Sequence, residues 1–92
     1  MSEHNESRRA IVREHEFDEQ LEALLVNMEE ADEFTAVAED LLSRDPLTGV
    51  PASRDGSVWY LAMPLVRGRR VSLFYAFDDA AVTFLSILAY DD

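Results

Sequence analysis

Val58–Leu88 reads VWYLAMPLVRGRRVSLFYAFDDAAVTFLSIL, and the reading of this stretch decides the fold. β-Branched and aromatic residues crowd it, and two short turn-forming breaks divide it into three runs. It therefore predicts a meander of three antiparallel strands. The first break, Val66–Arg70, holds three of the chain's eight Arg and one of its three Gly. Gly68 is the residue there that most readily takes the positive φ of a tight hairpin. The second break, Asp78-Asp79-Ala80, has Asp side chains able to bond their own backbone two residues on. In the last run both parities are apolar, with Val82 and Phe84 against Leu85 and Ile87. In the middle run Phe74 faces away from Val71, Leu73 and Tyr75. A sheet covered by helices on one face only is polar on the other. Strict alternation thus predicts leftover apolar surface, to be covered by a partner segment or by a second copy of the chain.

Upstream of the meander, residues 1–7 are polar and read as a disordered tail ahead of a single domain over residues 8–92. RRAIVREHE (Arg8–Glu16) fits a strand through its β-branched pair Ile11-Val12, expected over Arg9–Glu14. Its flanking charges suit a sheet edge. From Phe17 the period changes to helical: Phe17, Leu21, Leu24, Leu25 and Met28, then Phe34, Val37, Ala38, Leu41 and Leu42. The stripe nearly holds phase throughout, so periodicity alone leaves one long helix open. A single helix of about 40 Å, at 1.5 Å per residue, would overhang strands about 20 Å long. Two helices are therefore expected, Asp18–Glu29 and Asp32–Ser43, with Asp32 capping the second. Leu21, Leu24, Leu25, Phe34, Val37 and Leu41 are the expected contacts with the sheet. Pro46 ends the second helix, and Asp45–Ser57 reads as a loop, long enough to pack back on the body or carry contacts. The expected fold is α+β, ordered β-α-α-β-β-β, a helical hairpin on a four-stranded, mainly antiparallel sheet.

Composition narrows function mostly by exclusion. The 92 residues carry a formal net charge of -11, and every basic residue except the two His is Arg. Such acidity opposes broad adhesion to nucleic acid or anionic membrane. With no Cys, neither a disulfide nor a thiolate metal site is available. No apolar run reaches membrane-spanning length, and MSEHNESRR lacks the apolar core of a signal peptide, so a cytoplasmic location is expected. The carboxylates Glu29, Glu30, Asp32, Glu33, Glu39 and Asp40 interleave with the apolar stripe as the wet side of amphipathic helices. His15 stands between two Glu on a charged segment, as a surface residue. No metal or cofactor is expected.

The order strand, helix, helix, meander resembles the RelE/ParE superfamily of bacterial toxin–antitoxin toxins, the plasmid-stabilisation-like proteins. The resemblance covers roughly Arg9 to Ile87. It rests on IVREHEFDEQL, LLSRDPLTG, VWYLAM and VSLFYAFDDAAVTFLSI, the last being its most specific part. It implies two helices on one sheet face and a partner antitoxin. It also implies either ribosome-dependent mRNA cleavage or, without catalysis, inhibition of DNA gyrase.

Relatives that cut mRNA use basic residues on the strands and near the C-terminus, often with a C-terminal aromatic. These orient the ribose 2′-OH, stabilise charge on the phosphate and protonate the leaving oxygen. The residues here that match such roles are Arg70 and Tyr90 for catalysis, with Arg67, Arg69 and Arg70 for contact with RNA or another target. Arg70 lies close to the family's third-strand Arg, although pairing by the Tyr75 landmark puts Ser72 there. The chain departs from the pattern after Leu88, where Ala89-Tyr90-Asp91-Asp92 holds no Arg, Lys or His. That departure favours a second reading, a non-enzymatic protein-binding module that keeps the fold without the activity.

Overall fold

The computed structural model describes residues 8–24, 28–64 and 70–90. The expected tail, Leu25, and the hairpin residues Arg67, Gly68 and Arg69 lie outside the described residues. In chain order the elements are β1 (Ala10–Arg13), α1 (His15–Leu24), α2 (Met28–Arg44), a 3₁₀ turn (Pro46–Thr48), β2 (Val50–Pro51), β3 (Trp59–Pro64), β4 (Arg70–Phe77) and β5 (Ala81–Tyr90). The strands form one sheet in the order β1-β5-β4-β3-β2. The meander is present as β3–β4–β5 with antiparallel pairing, while β1 joins β5 in parallel. The class is α+β as expected, with five strands rather than four.

The added strand comes from the Asp45–Ser57 segment. Val50 pairs with Tyr60 and Pro51 with Trp59. Pro51 is tolerated because β2 is an edge strand, whose outer side needs no N–H donor. The chain returns to β3 through a hairpin in which Ala52 and Ser53 donate to the Val58 carbonyl. Gly56 takes φ +76° there, a conformation only glycine adopts at little cost. Asp55 organises the tip, accepting from the Ser53 and Ser57 hydroxyls and the Ser57 amide.

The helices differ from expectation at their boundary. α2 begins at Met28, so Glu29 and Asp32 belong to its first turns, where carboxylates suit the positive end of the helix dipole. Asp32 is not a cap. Val37, expected in the core, is 56% exposed. At about 100° per residue, the buried face of α2 centres on Phe34, Ala38 and Leu42, and Val37 lies roughly a quarter-turn or more to one side. Thr35 is buried instead, its hydroxyl donating to the Ala31 carbonyl at 2.8 Å. Leu21 and Phe34 are buried as expected, whereas Leu24 and Leu41 only flank the core. No described helix is long and apolar enough to cross a membrane.

Both helices lie over one sheet face. Phe17 of α1 meets Phe84 edge-to-face at 5.2 Å, and Leu61, Val71, Leu73, Tyr75, Val82 and Ile87 complete the buried layer. Arg13 ties three elements together, 3.2 Å from Asp18 on α1 and 3.6 Å from Glu39 on α2. The excess of apolar residues on β5 has a simple origin. Phe74 pairs with Ser86 but Tyr75 pairs with Phe84, so Leu85 is an extra, unpaired residue. This β-bulge switches the strand's parity. Val82, Phe84 and Ile87 therefore all face the helices, and Leu88, 49% exposed and paired with Ser72, takes the open-face place that strict alternation gives Ile87.

Leu42 is fully buried, so Leu42→Ala is expected to cost about 2–5 kcal/mol in urea melts. Val37→Ala is expected to stay within about 0.5 kcal/mol, as for an ordinary surface position. At the β2–β3 tip, hydrogen bonds from the Ser57 hydroxyl, the Ser57 amide and the Ser53 hydroxyl lower the Asp55 pKa from 3.8 to about 2. A depressed carboxylate pKa stabilises the fold above the unfolded value and loses that effect as pH falls through the folded one. The Tm difference between the parent and Asp55→Asn should therefore be present at pH 5 and close between about pH 4 and pH 2.

Candidate functional site

The sheet face away from the helices carries the residues that alternate with the core: Arg70, Ser72, Phe74 and Ala76 on β4, and Tyr60 and Ala62 on β3. Tyr60 and Phe74 are cross-strand partners, their ring centroids 5.9 Å apart with planes tilted by 36°. Around them opens a cleft of about 400 Å³. Ala62 and Ser72 form its floor with the two rings, Arg70 closes one end, and Pro51 and Ala52 of the edge hairpin form a side wall. Ser72, opposite Ala62, is buried beneath this surface.

Register decides which groups meet. Starting from the Phe77–Val82 pair, a regular ladder would bring Arg70 opposite Ala89. The extra residue Leu85 advances β5 by one position, and Arg70 pairs with Tyr90. The two expected catalytic residues thus occupy adjacent positions on neighbouring strands, about 5 Å apart along the backbone hydrogen-bonding direction. Arg67 and Arg69 lie outside the described residues, as do Asp91 and Asp92.

The charges are unevenly placed. β2, β3, β4 and β5 contain no Asp or Glu, and Arg70 is their one basic residue. The other arginines are mostly engaged near the helices. Arg8 and Arg44 hold Asp40 at 3.0 and 2.7 Å, and Arg13 holds Asp18 and Glu39. Arg9 donates to the Asp78 carbonyl at 2.6 Å and lies over the Phe77 ring. Asp78 accepts from the Ala80 and Ala81 amides, which hold its pKa below the usual range, helped by Arg9. The Asp turn is thus built as its sequence suggests. His15 is exposed and pairs with Glu19 at 3.0 Å on the helix side, remote in role from the cleft.

Phe74 is expected from its parity on this open face, whereas Tyr60 and the Pro51 wall are not singled out from sequence. The ring pair was accessible in principle, because a hairpin centred on Arg67 places Tyr60 opposite Phe74. The wall was not, since a two-residue strand leaves no periodic signal.

In this arrangement a flat aromatic floor can stack planar groups, and a guanidinium at its end can bind phosphate or carboxylate. No protein-family model matches the chain, and no curated protein matches it. Among solved structures it is similar to a chain in the crystal structure of the toxin–antitoxin complex RelBE2 from Mycobacterium tuberculosis. The TM-score is 0.69 at 21% identity, over 92% of this chain and 94% of that one. At this level of identity the likeness is one of fold alone.

Proposed function

We propose that the chain is the toxin-side protein of a toxin–antitoxin module, with the cleft face as its contact surface for the cellular target. The observation that carries the reading is the pairing of Arg70 with Tyr90 at the end of an aromatic cleft whose described lining residues include no carboxylate. A fold shared with a chain of a toxin–antitoxin complex supports it, as does the order of elements.

The finer reading is ribosome-dependent cleavage of mRNA. Bases would stack on Tyr60 and Phe74, each such contact contributing about 1–3 kcal/mol. Arg70, with Arg67 and Arg69 from the hairpin, would stabilise charge on the phosphate as the ribose 2′-OH loses its proton to water and attacks phosphorus, leaving a 2′,3′-cyclic phosphate. The Tyr90 hydroxyl would protonate the departing 5′-oxygen. Free RNA is a poor substrate in this scheme, because a net charge of -11 opposes a polyanion at long range. The ribosome supplies the encounter instead. Gyrase inhibition would use the same face without the chemical step. The antitoxin, expected from the adjacent reading frame, binds the toxin and suppresses it.

One observation favours the non-enzymatic binding module: Ala89-Tyr90-Asp91-Asp92 holds no Arg, Lys or His, so a proton donor from this segment falls to Tyr90 or water.

Induction of the chain in bacteria is expected to arrest growth, and co-expression of the neighbouring frame to relieve the arrest. Replacing Arg67, Arg69 and Arg70 by Ala should abolish toxicity without unfolding the protein. On active ribosomes, Arg70→Ala should lower message cleavage by about 10²–10³-fold, the usual effect of losing one charge-stabilising group. Arrest without cut message would point to gyrase or another binding target. A harmless parent would leave the binding module.

A further inference from the structure

The hydroxyl of Tyr75 takes no part in the chemistry above, yet it bridges the sheet and the segment that walls the cleft. Its ring is fully buried in the core. The hydroxyl donates to the Pro46 carbonyl and accepts from the Gly49 amide at 3.2 Å. Burial pushes its pKa up, so the donating proton stays in place through neutral pH. Both partners lie in the connection between α2 and β2, which beyond them is held by the two paired residues of β2 and by the Ala52 and Ser53 amides donating to the Val58 carbonyl.

Gly49 is fitted to this contact. Its φ of -80° suits any residue, but a Cβ there would stand 2.4 Å from the Tyr60 carbonyl oxygen and 2.4 Å from the Tyr75 hydroxyl. Close approach, rather than backbone conformation, is why a side chain is excluded. Two residues beyond Gly49 the same segment becomes the Pro51–Ala52 wall of the cleft.

We infer that Tyr75 is a positioning residue, whose hydroxyl, reaching from the helix-covered face, fixes the Pro51–Ala52 wall and so sets the width of the cleft on the opposite face. This rests on the reading of that cleft as a binding surface. Tyr75→Phe keeps the ring and removes the latch.

Two measurements decide it. The first is amide hydrogen exchange. Tyr75→Phe should speed exchange at Gly49, Val50 and Ala52 by about tenfold or more relative to Leu73 and Phe84, which report global opening. A merely packing role would raise all of these amides together, and that result overturns the inference. The second uses 1-anilinonaphthalene-8-sulfonate, an aromatic anion, as a probe of the cleft, mapped by shifts at Tyr60, Ala62, Ser72 and Phe74. In Tyr75→Phe its Kd should weaken about fivefold or more under conditions where the protein stays folded. Leu42→Ala, destabilising but across the sheet, should leave the Kd unchanged. Gly49→Ala should weaken binding similarly, and should give the same segment-confined exchange if Tyr75→Phe fails to fold. Combined with Tyr75→Phe it should add little, because both displace one wall. An unchanged Kd in both variants overturns the inference. A parent that does not bind the probe at these residues removes the cleft reading. The exchange pattern alone then decides the latch, confined to the segment in its favour and uniform against it.

Discussion

β5 has to serve two sheet neighbours and two faces at once, and it does so through one extra residue. Its first half is held between β1 and β4; beyond Phe84 it continues beside β4 after β1 has ended. A strand with a constant period of two would bury either Val82 and Phe84 or Ile87 and Ala89, but not both pairs. Leu85 absorbs the conflict, so all four meet the helix layer. Where β1 has stopped, the Gln20 side chain of α1 accepts from the Ile87 amide at 2.8 Å. This donor, left by the missing strand, would otherwise be costly in a partly buried position. The same one-residue advance puts Tyr90, not Ala89, beside Arg70. Core packing and site assembly therefore share one local irregularity.

What the sequence made legible follows from which features are periodic. The meander declared itself through dense β-branched and aromatic runs with turn chemistry between them, and Asp78 bonds the Ala80 amide as that chemistry requires. Strand length argues for two helices, and the described helices run His15–Leu24 and Met28–Arg44. Features that depend on rotation or register were not legible. Val37 and Leu42 belong to one apolar stripe in sequence, and only packing decides which edge of it faces water. A bulge changes no composition, so both-parity hydrophobicity was read as surplus surface. β2 is too short for any period to reveal.

The candidate site divides along the same line. Arg70 and Tyr90 are the catalytic candidates that the family resemblance implies, and pairing brings those positions together. The aromatic floor needed register, and the wall needed the tertiary contact from Tyr75. Function-bearing geometry here is built from cross-strand neighbours. Those neighbours become visible only once turn centres and the bulge are fixed.

The chain's acidity also takes a different meaning once it is placed. The Asp and Glu residues of α1 and α2 lie on the helix layer, whereas β2 to β5 carry none. A helix is about 10–12 Å across with its side chains, so carboxylates on its outer side stand farther than that from the open sheet face. For paths through solvent around that layer the Debye length at physiological salt is about 8 Å, which weakens exposed charges at such a distance. Net charge thus governs approach through bulk solvent, while contact at the cleft is governed by Arg70 and the surrounding rings. An anionic ligand delivered to that face by a larger assembly would meet an uncharged aromatic floor ending in a guanidinium. The same ligand diffusing freely would first meet the field of the whole protein. On the reading of the cleft as a contact surface, the carboxylates of α1 and α2 and the Arg70 guanidinium belong to opposite sides of the sheet.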